Sequence, residues 1–155
     1  MDLSKYKLSS EPNLTKFEFT SEGVNGNIEK IVIFEWVATE SGELFNLCFG
    51  DKNPLTGELD DTVNSNNGDR NKVLATVALA AYLFTDTHTN ALILMQGATD
   101  TRTRLYQMAI NIHYDEIKAD FNVFGLLNDE LMQFEKNVNY GGFLIKRKQI
   151  IVWKH

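Results

Sequence analysis

One cysteine stands in the 155 residues. A lone thiol excludes a disulfide framework and any cysteine-rich zinc or iron–sulfur centre, and it suits a reducing cytoplasm. Long apolar runs are missing as well. No stretch reaches the roughly 18 apolar residues of a membrane-spanning helix, and the opening MDLSKYKLSSEPNL lacks the apolar segment of an export signal. These absences predict a soluble, cytoplasmic protein with no membrane partner. Excess positive charge is also absent: 15 Lys and Arg face 21 Asp and Glu, for a net charge of −6. Such a field repels phosphate on average, which argues against non-specific binding of duplex DNA. What is present, 43% hydrophobic and 23% charged residues, fits a single domain over residues 1–155 that buries about two-thirds of its unfolded surface.

Familiar catalytic patterns are missing too. There is no Gly-x-Ser-x-Gly elbow to expose a nucleophilic serine, and no Gly-x4-Gly-Lys-Ser/Thr loop to cradle a nucleotide. Asp51, Asp60, Asp61 and Asp69 lie in glycine-containing loops but lack the fixed alternation of a calcium loop. His88, His113 and His155 have no metal-ligand spacing, and Cys48, among Phe45, Leu47 and Phe49, reads as a core thiol. The expectation is a protein without metal or cofactor, and a binding protein rather than an enzyme.

Periodicity supplies the fold. Lys16–Thr20 alternates with Phe17 and Phe19 on one side, Ile28–Val37 is β-branched and aromatic, and Glu43–Gly50 alternates again. A turn over 21–27 and Ser41-Gly42 would join these into an antiparallel meander, with Glu58–Val63 a short fourth strand. Arg70–Phe84, preceded by the cap-rich Asn64–Asp69, carries Val73, Leu74, Val77, Ala78, Ala81 and Tyr82 at helical spacing. Ala91–Met95 is a short apolar run suited to a central strand. A second helix follows Gly97–Thr101, with Leu105, Met108, Ala109 and Ile112 as its inner stripe. Phe121–Phe124, Phe143–Ile145 and Gln149–Trp153 read as late strands, and Glu130–Asn139 is ambiguous. The class is α+β: an antiparallel β-meander followed by two helices packed on a mostly antiparallel sheet.

Charge is unevenly placed. Residues 1–69 hold 5 cations against 13 acids, and residues 70–155 hold 10 against 8. The late cations gather at Arg102 with Arg104, and at Lys146-Arg147-Lys148 with Lys154. A strand that ends at a glycine and enters a helix through Thr99, Thr101 and Thr103 would present unsatisfied N–H groups and a favourable dipole to an anion, with the arginines beside it. Arg102 and Tyr106, four apart, share a helix face and form a pair suited to a phosphate and a stacked base. The candidate ligand-binding residues are therefore Thr99, Thr101, Arg102, Arg104, Tyr106, Lys146 and Lys148, with single-stranded nucleic acid or another phosphate-bearing ligand as partner. The plainer alternative has Thr99 or Asp100 simply capping the helix and Lys146 and Lys148 guarding an edge strand. Two further readings compete: a protein–protein module or homo-oligomer whose arginines meet the acidic half of a neighbour, and a small hydrolase or nuclease using His113 with the arginines.

Phe49-Gly50-Asp51, Asn66–Arg70 with Lys72–Val77, Gly97–Tyr106 and Tyr140–Lys148 together resemble a family of small bacterial proteins of uncharacterised function. That resemblance spans most of the chain and implies no activity, cofactor or catalytic residue. In element order alone, the meander, helix and further strands resemble the Whirly and PC4 type of single-stranded-nucleic-acid-binding fold, a likeness that says nothing of function by itself.

Overall fold

A computed structural model describes residues 4–37, 39–40, 42–61 and 65–149. Among these residues nine strands and two helices follow in the order β1 (Ser9–Ser10), β2 (Lys16–Gly23), β3 (Gly26–Val37), β4 (Leu44–Lys52), β5 (Leu59–Asp60), α1 (Arg70–Thr87), β6 (Leu92–Met95), α2 (Asp100–Asp120), β7 (Phe121–Leu127), β8 (Glu130–Gln133) and β9 (Gly142–Arg147). One sheet holds all the strands, in the order β1-β2-β3-β4-β6-β9-β7-β8, with β5 paired to β4 off that path. Its pairings are antiparallel except for β4 and β6, which run parallel over Leu44–Asn46 and Leu92–Leu94. The architecture is α+β with a β-meander, as the periodicity implies.

The two-residue period sends Phe17 and Phe19, Val32 and Phe34, Leu47 and Phe49, Ile93 and Met95, Phe143 and Ile145, and Phe121 and Val123 to one face of the sheet, where all are buried. Both helices cover that face. From α1, Phe84 stacks on Phe34 at 4.2 Å between ring centroids and meets Phe45 edge-on at 5.0 Å; α2 adds Tyr106 and Ile110 to the same core. Full burial of one such side chain stabilises by about 1.5–3 kcal/mol.

Three expectations need correction. The turn between β2 and β3 shrinks to Val24-Asn25, because pairing continues through the polar strand ends to Gly23 opposite Gly26. The inner stripe of α2 is rotated: Arg102, Tyr106, Gln107 and Ile110 are buried, whereas Ile112 is 61% exposed. Polar groups can take an inward position when their bonds are satisfied. Gln107 meets this condition, since its Nε2 donates to the Val138 carbonyl (2.8 Å) and its Oε1 accepts from the Tyr140 N–H (3.1 Å). Cys48 is half-buried on the opposite sheet face from Leu47 and Phe49, beside Glu35, because strand alternation turns it away from the core. The ambiguous segment 130–139 contains the edge strand β8. Ile150–Trp153 of the anticipated terminal strand, and Thr62-Val63 of the fourth, lie outside the described residues.

Candidate functional site

The parallel pair decides where a site can form. β4 and β6 point the same way, so the chain leaving each turns over the helix face at the same end of the sheet, where ligands of α/β sheets characteristically bind. Here β4 leads through a long connection into α1, and β6 leads directly into α2. The two helix N-termini border one recess of about 240 Å3, lined by Lys30, Phe49, the Ser65–Arg70 turn, Thr101 and Arg102.

Two of its cations are nearly inaccessible to bulk water: Lys30 is 6% exposed and Arg102 8%. Lys30 Nζ is paired with the Asp51 carboxylate and donates to Ser65 Oγ at 2.6 Å. The Arg102 guanidinium lies over the Phe49 ring at 4.7 Å, and Lys30 approaches the same ring at 5.9 Å. Cations held against an aromatic face gain attraction as they are desolvated. Arg70 is exposed at the start of α1, on the rim.

The turn before α1 is anchored from below. Asn67, 4% exposed, donates through Nδ2 to Ser21 Oγ and the Gly26 carbonyl, and accepts from the Asn25 N–H. This close seating requires Gly23, where a Cβ would stand 1.9 Å from the Asn67 carbonyl oxygen. Asp69 occupies the N-cap of α1 without a side-chain capping bond. Its Oδ2 instead accepts from the Tyr6 and Ser21 hydroxyls, each at 2.5 Å, and the residue remains in the recess lining. Burial, then the bond to Asp69, raises the Tyr6 pKa above its ordinary value of 10.0. On the α2 side, Gly97 is needed because a Cβ there would lie 2.5 Å from Arg102 Cβ and 2.6 Å from the Thr103 nitrogen. Without that Cβ, the first turn of α2 can press onto the end of β6.

A family model for a family of unknown function, DUF6934, matches residues 2–148. The chain belongs to DUF6934. No curated protein and no solved structure matches it, and no finding supports the element-order likeness to Whirly and PC4 folds. In this DUF6934 protein, three of the four segments that carry the family resemblance, Phe49–Asp51, Asn66–Arg70 and Gly97–Tyr106, meet at the recess. The fourth, Tyr140–Lys148, runs into β9.

The anticipated site residues separate. Thr101 and Arg102 line the recess. Thr99 caps α2, its Oγ1 accepting from the Arg102 N–H at 3.1 Å, so its hydroxyl serves the helix. Arg104 is exposed and outside the lining, because two residues turn a helix by about 200°. Tyr106 shares its face with Arg102 as the spacing requires, but its ring is core, 2% exposed, and does not offer a stacking surface. Lys146 and Lys148 lie elsewhere. Lys146 sits opposite Leu92, at the start of β6 rather than its end, on the face away from the buried Ile145. Lys148 bonds the Lys118 carbonyl near the C-terminal end of α2, about 25 Å along that helix from Arg102 at 1.5 Å per residue. Arg147 is a structural clamp, with Nη1 donating to Thr85 Oγ1 and to Asp86 at 2.9 Å. The expected joining of the late cations into one face is therefore corrected: sheet register and helix length hold them apart. His113 stands at a break in the helical dihedrals of α2, against an apolar cavity of about 60 Å3, roughly 16 Å along the helix from Arg102. A nuclease-like cluster of His113 with the arginines is not assembled.

Reading the sequence missed Lys30, Arg70 and the Ser65–Asp69 turn. Lys30 carried a signal, a single cation at an inward position of a strand otherwise apolar on that side with Val32 and Phe34. The Asn66–Arg70 segment carries the family resemblance, and its composition alone gives only a turn and a cap. Arg102 also forms the wall to a second recess of about 250 Å3, where β4 and β6 part beyond Asn46 and Leu94. Among the described residues, no group of three or more His, Cys, Asp or Glu could hold a metal ion, and no helix is long and apolar enough to cross a membrane.

Proposed function

We propose that this DUF6934 protein is a binding protein for a small phosphate-bearing ligand, held between the N-termini of α1 and α2. The observation that carries the reading is the convergence of Lys30, Arg70 and Arg102 with Ser65, Thr101 and two helix dipoles on one recess. Helix N-termini favour an anion, and arginine forks recognise phosphate bidentately.

A compact ligand fits better than a nucleic-acid strand. The recess is smaller than the roughly 300–1,000 Å3 of drug-sized sites, and a strand needs a continuous cationic track with accessible stacking rings. Lys146 and Lys148 are too distant to extend one, and Tyr106 is buried. Calorimetric titration with inorganic phosphate and with a phosphate monoester tests the reading, with a labelled single-stranded oligonucleotide as a third arm. Phosphate and monoester should bind at low salt and weaken as salt rises, with Arg70→Ala reducing affinity about tenfold, the order of one charged hydrogen bond. Absence of phosphate and monoester binding at low salt would overturn the proposal. Strand binding tighter than monoester binding would restore the nucleic-acid reading.

A further inference from the structure

A mainly antiparallel sheet with helices on one face commonly turns polar side chains to the other. This sheet departs from that pattern. Both helices pack on the face of Phe17, Val32 and Ile93, and the registers send Leu44, Leu92, Leu94, Leu144, Phe124 and Leu126 to the opposite face of β4, β6, β9 and β7. All six are half-buried, with no helix over them among the described residues. The apolar surface continues to the edge of the sheet, where Leu131 lies opposite Leu126 and is 51% exposed. From β3 to β7 the face measures about 24 Å across the strands and about 20 Å along them. A contiguous apolar patch of that size on a folded chain marks an interaction surface.

The face is complementary to itself. In the order β1-β2-β3-β4-β6-β9-β7-β8 the midline falls between β4 and β6. A twofold axis along that parallel pair, lying in the plane of contact, therefore sets β3 of one copy over β9 of the other. Glu35, exposed on β3, has no cationic partner among the described residues, and the Lys146 ammonium on β9 has no hydrogen bond or ion pair there. Pairing of Glu35 with Asn46, Asn46 with Leu94 and Leu94 with Leu144 puts Glu35 level with Leu144. Lys146 is two residues further on, about 7 Å along the strand, within reach of its own side chain. The symmetry forms this pair twice. Glu18 and Glu22 of β2 fall over β7 of the other copy, which presents Asn122, Phe124 and Leu126, so no carboxylate is set on a carboxylate. The arm leading to β5 stands on this face over Gly50, where a Cβ would lie 2.2 Å from the Asp60 carbonyl oxygen. That arm meets the other copy beyond the ends of β6 and β9 at Met95 and Gly142, where there is room for it. Two such faces bury on the order of 1,000 Å2, the lower bound of a specific interface. From this apolar face flanked by Glu35 and Lys146, we infer that the chain pairs with a second copy of itself, sheet against sheet, about a twofold axis along β4 and β6.

The inference stands apart from the phosphate reading, whose recess opens on the helix face. Sedimentation equilibrium of the full chain tests it. The chain should show twice its own mass at about 100 µM and dissociate on dilution, with a micromolar dissociation constant. Leu144→Glu sets a charge in the patch and leaves the helix face untouched, so it should give a folded monomer by circular dichroism. Glu35→Lys and Lys146→Glu should each weaken association about tenfold, because each substitution alters both symmetric pairs. The variant carrying both reversals should regain the parent affinity, a recovery that keeps the test decisive should Leu144→Glu fail to fold. Phosphate affinity should be the same in the monomeric variants as in the parent, so the two readings fail separately. A full chain that is monomeric at about 100 µM overturns the inference. So does a folded Leu144→Glu variant that associates like the parent, or a pair of charge reversals that has no effect singly or no recovery together.

Discussion

Lys30→Met removes a buried ammonium while keeping most of the hydrophobic stem. The Lys30 side chain is 7% exposed and its partner Asp51 13%, so the substitution strands a carboxylate that is itself largely out of water. Breaking one side of a buried pair costs about 3–5 kcal/mol, which at roughly 2–4 °C per kcal/mol for a domain of this size lowers the thermal midpoint by about 6–20 °C. The double variant Lys30→Met with Asp51→Leu removes both charges together. Because replacing a whole buried pair by apolar groups is often neutral or stabilising by about 1–4 kcal/mol, the double variant should recover most of the lost stability. Phosphate affinity should not recover, since the cation is still gone. Calorimetric melting with phosphate titration on the two variants and the parent reads both quantities. If the single variant loses under 1 kcal/mol, the pair is not energetically buried. If the double variant recovers stability and phosphate binding together, Lys30 has no part in the site.

Two further predictions concern Tyr6 and Cys48. The neutral Tyr6 phenol bonds Asp69, and its pKa is raised in the fold, so its contribution is fully present below the unfolded value of about 10 and is lost as pH climbs through the folded value. Tyr6→Phe should therefore cost about 1–3 kcal/mol at pH 7 by leaving Asp69 under-bonded, and the gap between variant and parent in urea unfolding should narrow above pH 10; a gap that is flat with pH would contradict this. The Cys48 thiol is pushed up to about 11 from 9.0, by burial first and then by Glu35. At pH 8 its thiolate fraction should be about a hundredfold below that of an unperturbed thiol, and iodoacetamide labelling correspondingly slow. Labelling at the rate of the unfolded chain would refute that environment.

Local pattern carried much of this fold into view. Phe17 and Phe19, and Val32 and Phe34, show a two-residue period because each strand has one face against the helices, and Val73, Val77, Ala81 and Phe84 show the helical period for the same reason. Such signals are read within a dozen residues. The inner stripe of α2 was misread because Arg102 and Gln107 look like surface residues until Phe49 and the 138–140 loop are known to meet them. Lys146 and Arg102 were grouped because both are basic and late in the chain, a measure that has no bearing on distance once β9 is inserted between β6 and β7.

The order of residues alone determined the α+β class, the meander and the start of α1, since each depends on spacing between near neighbours. Tertiary structure alone decided that Lys30, Arg70 and Arg102, separated by 72 positions from first to last, share one recess. The parallel register of β4 and β6 starts both helices at the same end of the sheet, and no local periodicity encodes that long-range pairing.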